Sequence, residues 1–151
     1  MKSKRVNLCV VGAGYWGINH IKTIKELNYL GGVVDGNRST INSLKKKFPH
    51  IPIFKELRDA IESDLFDGFI IATPAETHFK LAKEILNNNY PVLVEKPFTS
   101  NLREANELIN LANKKKICLM VGHLLLFHKA VSYLKNAIEK NKDWQTAIYL
   151  Q

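Results

Sequence analysis

Near the N-terminus a short apolar run breaks into glycine and restarts with a helical period. Val6, Leu8, Cys9, Val10 and Val11 show little alternation, as expected of a strand buried on both faces of a parallel sheet. Gly12, Gly14 and Gly17 follow in the spacing G-x-G-x-x-G. Tyr15 to Leu27 then carries apolar residues at Ile18, Ile21, Ile24 and Leu27, one face of a helix. Each glycine has a physical task in a strand-turn-helix unit of this kind. Gly12 makes the tight turn, Gly14 lets a pyrophosphate approach the backbone, and Gly17 lets the helix pack closely on the strand. The free N–H groups and positive dipole end of the helix would face the phosphates. Leu30 to Asp35 reads as a second strand that ends in a carboxylate, about 20 residues beyond the glycines. Such a carboxylate accepts hydrogen bonds from the adenosine ribose hydroxyls and repels a 2'-phosphate, which favours NAD over NADP. Arg38 is placed to stack on the adenine or to reach a 2'-phosphate.

The rest of the chain keeps the same beat. Ser39 to Phe48 reads as a short helix with Ser39 as its N-cap, stopped by Pro49. Ile51 to Phe54 is extended, Lys55 to Ser63 helical, and Phe69 to Ala72 a buried strand running into Thr73-Pro74 and His78. A helix over Phe79 to Asn88 leads to a strand at Pro91 to Val94, which ends on Glu95-Lys96-Pro97. Asn101 to Lys116 is amphipathic, with Ala105, Leu108, Ile109 and Ala112 on one face. Ile117 to Val121 is another strand, Gly122-His123 opens a loop, Ala130 to Lys140 is helical, and Thr146 to Leu150 reads as a last strand. Strand and helix alternate throughout, which predicts an α/β fold with a doubly wound parallel sheet. In such a sheet ligands bind at the carboxyl ends of the strands. Gly12 to Gly14, Asp35, Thr73-Pro74 and Glu95 to Pro97 would line one crevice.

Composition bounds the partners. The 151 residues predict one domain, residues 1–151, that buries about 68–70% of its unfolded surface. Lys and Arg total 22 against 14 Asp and Glu, a net charge of +8. The densest cationic runs, Lys45 to Lys47 and Lys114 to Lys116, each end a predicted helix, where they complement the dipole. No aromatic residues interleave with them as a single-strand platform would require, so nucleic acid is not expected as a partner. The start, MKSKRVNLC, holds no long apolar core, and no later run approaches the ~20 apolar residues of a membrane span. A cytoplasmic location with no membrane partner is the expectation. Cys9 and Cys118 fall in predicted strands and read as buried free thiols. His20, His50 and His128 form no ligand spacing, so no metal is expected.

Taken together, GAGYWG, the acid at Asp35, the Ala72-Thr73-Pro74 turn with His78 after it, and Glu95-Lys96-Pro97 resemble one family. It is the glucose-fructose oxidoreductase, inositol dehydrogenase and MocA (Gfo/Idh/MocA) family of NAD(P)-dependent sugar oxidoreductases. The GYWGINH start and VGHLLLFHKAVSYLK look most like its branch acting on nucleotide-linked amino sugars. The resemblance implies an NAD(P)-binding Rossmann domain from an enzyme moving hydride between nicotinamide and a secondary hydroxyl of a sugar or sugar nucleotide. It implies that Gly12, Gly14, Tyr15, Trp16 and Gly17 contact the pyrophosphate, with Asp35 and Arg38 at the adenosine end. Thr73, Pro74 and His78 would flank the cofactor further along. Glu95 would bond the nicotinamide ribose, His123 would reach the nicotinamide end, and Lys96 would be catalytic beside the reacting hydroxyl. Family members continue into a second α/β domain that binds substrate and builds the oligomer. This domain is absent here, so a chain that binds cofactor but is inactive alone is expected. The alternative is a non-catalytic dinucleotide-binding module or one half of a split enzyme. Uncovered apolar surface predicts a homo-oligomer.

Overall fold

A computed structural model describes residues 6–140 and gathers the apolar runs into one six-stranded sheet. In chain order the elements are β1 (Leu8–Val11), α1 (Tyr15–Glu26), β2 (Leu30–Val34), α2 (Arg38–Lys47), β3 (Ile53–Phe54), α3 (Leu57–Glu62) and β4 (Gly68–Ile71). They continue with α4 (Ala75–Asn87), β5 (Val92–Val94), α5 (Leu102–Lys115), β6 (Leu119–Val121), a 3-10 turn (Leu124–Phe127) and α6 (Lys129–Lys140). Every ladder is parallel, and the order across the sheet is β3-β2-β1-β4-β5-β6. β1 is central, with Val10 paired to Val33 on one side and Ile70 on the other. The doubly wound sheet expected from the sequence is present. The strand expected at Thr146 to Leu150 lies outside the described residues.

Successive strand side chains point to opposite faces, and β1 divides its residues between two cores. Cys9 and Val11, with Val34, Phe69, Ile71 and Val94, pack against Ala60 and Ile61 of α3, Ala82 and Ile85 of α4, and Leu108 of α5. Val10, with Val33 and Ile70, packs against Ile21 and Ile24 of α1 and Leu44 of α2. Each fully buried Val, Leu, Ile or Phe contributes about 1.5–3 kcal/mol. Burial on both faces explains why the strand sequences are continuous apolar runs rather than alternating ones.

Three local expectations are corrected. α2 is capped by Asn37, not Ser39: the Asn37 side chain accepts from Ser39 N at 2.9 Å and Thr40 N at 3.1 Å. α4 starts at Ala75, not Phe79. Pro74 suits the helix entrance because it lacks the N–H that a first turn leaves unpaired, and Thr77 Oγ1 donates to its carbonyl at 2.7 Å. Cys118 is exposed, sharing with Met120 an open side of the edge strand β6, while Cys9 is buried as expected. Burial pushes the Cys9 thiol far above its ordinary range. No helix among the described residues is long and apolar enough to cross a membrane.

Candidate functional site

The strand order reverses between β1 and β4, and the carboxyl ends of β1, β2, β4 and β5 share one edge of the sheet. That switch point is where a doubly wound sheet opens a crevice. The β1–α1 turn has the shape its glycines predict. Gly12 takes φ +91°, and its N–H donates to Val34 O at 2.8 Å. A β-carbon on Gly17 would fall on the carbonyl oxygen of Gly12, so α1 approaches β1 as closely as backbone allows. Gly14 faces open space. α1 has neither a side-chain cap nor an acidic residue in its first turn. Its leading N–H groups therefore await an acceptor, and an anion at that end would supply one.

Asp35 closes the next strand and braces this turn. One carboxylate oxygen accepts from Ala13 N at 2.8 Å and the other from Asn37 N at 2.8 Å. Each oxygen keeps a second lone pair for a ligand hydroxyl, and the charge is held fixed at the mouth of the cleft. The cleft has a volume of about 440 Å³, and its walls include Gly12, Gly14, Asp35, Asn37, Thr73 and Pro74. Lys55, Leu57 and Leu81, which sequence reasoning did not single out, join them. Arg38 is exposed at the start of α2 and does not line this cleft.

A second, largely apolar chamber of about 670 Å³ lies between Trp16, Lys96, Gly122, His123 and the leucines 124–126. The Lys96 ammonium stands 5.8 Å from the centre of the Trp16 ring, at the outer reach of a cation–π contact. Trp16 meets Tyr15 edge to face at 5.9 Å, and Tyr15 itself is exposed. Glu95 is buried beside Lys96, whose peptide bond to Pro97 is cis. Its carboxylate receives His20 Nε2 at 2.8 Å on one oxygen and Lys96 N at 3.2 Å on the other.

His78 lies inside α4, buried, with Nδ1 2.8 Å from Pro97 O and Nε2 2.9 Å from Thr73 O. Both ring nitrogens are thus engaged by backbone. The imidazole spans from the β4–α4 turn to the segment after Lys96 and does not line the cleft or the chamber. Thr73 Oγ1 pairs with Thr77 Oγ1 at 2.6 Å, leaving its methyl toward Gly12.

The uncapped helix end, the open approach at Gly14 and the braced carboxylate suit a dinucleotide laid across the switch point, with phosphates at α1 and one ribose at Asp35. Comparison with known proteins agrees. Residues 6–123 match the family model described as an oxidoreductase family with an NAD-binding Rossmann fold. The chain is 31% identical over 133 residues to UDP-N-acetylglucosamine 3-dehydrogenase of Acidithiobacillus ferrooxidans, covering 85% of this chain and 40% of that protein. A solved structure of the same enzyme superposes with a TM-score of 0.78 at 29% identity, over 87% of this chain and 42% of that one. GenD2 from gentamicin A biosynthesis, solved in complex with NAD, gives 0.74 at 28% identity, over 79% of this chain and 34% of that one. The inositol 2-dehydrogenase of Corynebacterium glutamicum is 26% identical over 144 residues, 93% of this chain and 43% of that protein. The chain thus spans about two-fifths of the curated relatives it matches.

Proposed function

The chain belongs to the Gfo/Idh/MocA oxidoreductase family, with its NAD-binding Rossmann fold, and from that premise we propose that residues 1–151 are the cofactor domain of a sugar or sugar-nucleotide dehydrogenase. Laid across the switch point, the dinucleotide would supply the hydride acceptor at its nicotinamide. The chain's own groups do the rest. The N-terminus of α1 holds the pyrophosphate through its unpaired N–H groups. Asp35 accepts the adenosine ribose hydroxyls and disfavours a 2'-phosphate. Glu95 accepts from the second ribose. Lys96 places its ammonium beside the sugar oxygen and stabilises the negative charge that grows there as hydride leaves the neighbouring carbon, an effect of about 2.7–4 kcal/mol where such charge is well met. Trp16 and leucines 124–126 give that end of the site an apolar lining. Tyr15 and Thr73 flank the phosphates, and His123 borders the nicotinamide end.

One observation carries this reading: the braced dinucleotide cleft and the buried Glu95 with Lys96 stand at the same sheet edge, joined through α1. Calorimetric titration of the 151-residue chain with NADH and NADPH tests it. Saturable binding, tighter for NADH, is expected. Absence of binding to both would refute it.

A further inference from the structure

Glu95 is 4% exposed, and three different elements reach its carboxylate. From α1, His20 Nε2 contacts Oε1 at 2.8 Å. From β5's own continuation, Lys96 N donates to Oε2 at 3.2 Å. Beyond β6, a β-carbon on Gly122 would lie 3.1 Å from the carboxyl carbon and from both oxygens. The carboxylate is therefore held by the imidazole and the Lys96 N–H and bounded by Gly122, where a β-carbon would press on it. His20 follows Trp16 by one helical turn, so both project from the same face of α1. One helix thus presents its N-terminus to the phosphate region and, one turn later, fixes the acid at the other end of the site. His20 itself does not line the cleft or the chamber.

We propose that His20 is a positioning residue: it locks the Glu95 carboxylate, and through it the main chain at Lys96, so that the nicotinamide-ribose end of the site is set by the phosphate-binding helix. This rests on the cofactor reading above. Without the imidazole, Oε1 loses its hydrogen-bond partner and the carboxylate is free to rotate.

The test compares two ligands on the 151-residue chain: NADH, and ADP, which lacks the nicotinamide and its ribose. His20→Ala is expected to weaken NADH about tenfold, the scale of one lost charge-assisted hydrogen bond, and to move ADP by less than about twofold. His20→Gln, whose amide nitrogen reaches the place of Nε2, is expected to restore most of the NADH affinity. Gly122→Ala presses directly on the same carboxylate and should reproduce the selective NADH loss, so the inference stays testable if His20→Ala does not fold. A role confined to stability would lower affinity for both ligands alike, or leave both unchanged at a temperature below melting. An unchanged NADH-to-ADP ratio in the folded variants overturns the inference alone. A wild-type chain that binds neither ligand overturns the cofactor reading, and this inference with it.

Discussion

Asp35→Ala removes a brace of the β1–α1 turn as well as the proposed cofactor contact, and the structure allows the two losses to be separated. In the free protein the carboxylate braces Ala13 N and Asn37 N, each at 2.8 Å. Ala13 is 9% exposed, so its N–H would lose a partner where water reaches poorly, at a cost of about 1–3 kcal/mol. Asn37 is exposed, and water replaces its bond at little cost. The stability loss should therefore stay near that single figure. For NADH, the loss of a charge-assisted ribose bond of about 1.5–3 kcal/mol raises Kd about 10- to 150-fold. NADPH should respond in the opposite sense, because removing the carboxylate relieves its repulsion of the 2'-phosphate. The assay is calorimetric titration with both nucleotides, beside a urea melt of each variant. Asp35→Asn keeps one acceptor oxygen without the charge, so it should recover part of the stability while still losing the preference for NADH. Equal weakening of NADH and NADPH would refute the electrostatic argument, and unchanged NADH affinity would refute the ribose contact.

Other consequences are open to direct measurement. Gly17→Ala drives a β-carbon onto the Gly12 carbonyl; overpacking of this kind costs about 1–3 kcal/mol, and a variant as stable as wild type in denaturant would show that the turn yields. With Cys9 buried, its thiol pushed up by burial, and Cys118 exposed, a thiol reagent at neutral pH should modify Cys118 in the native protein and Cys9 only after unfolding. Prompt reaction of both would contradict the placement of Cys9 in the core. The exposed apolar side chains Leu124 to Phe127, Tyr133 and Leu134 should drive self-association. Sedimentation as a single 17.2 kDa species across concentrations would rule that out, whereas Leu125→Glu should shift an associating chain toward monomer.

Sequence reasoning recovered those parts of the fold that depend on neighbours along the chain. The continuous apolar runs became strands, the helical periods became helices, and Gly12 and Gly17 met the steric demands their spacing implied. What it missed lies where distant segments meet. Nothing near His20 in the chain points to Glu95, because the contact spans two separate strand-helix units. His78 bridges the carbonyls of Thr73 and Pro97, and only the docking of two loops brings those together. Lys55 and Leu57 line the cleft because β3 folds back beside β2, a neighbour relation that periodicity does not encode. The boundary errors had local causes. The Asn37 side chain competed successfully with Ser39 for the cap, and Pro74 opened α4 earlier than its apolar period suggested.

The central place of β1 bears on when, during synthesis, a ligand can begin to help. β1 pairs with β2 soon after it is made, but its other edge stays empty until β4 emerges. Until then the turn at Gly12 lacks Ala72 and Thr73, which complete its wall. A nascent chain stopped before β4 would hold Asp35 but only half of a cleft, and mass-action stabilisation by nucleotide requires a formed site. Nucleotide can therefore stabilise the fold by binding only once the segment that follows β4 has been made and β4 has paired with β1.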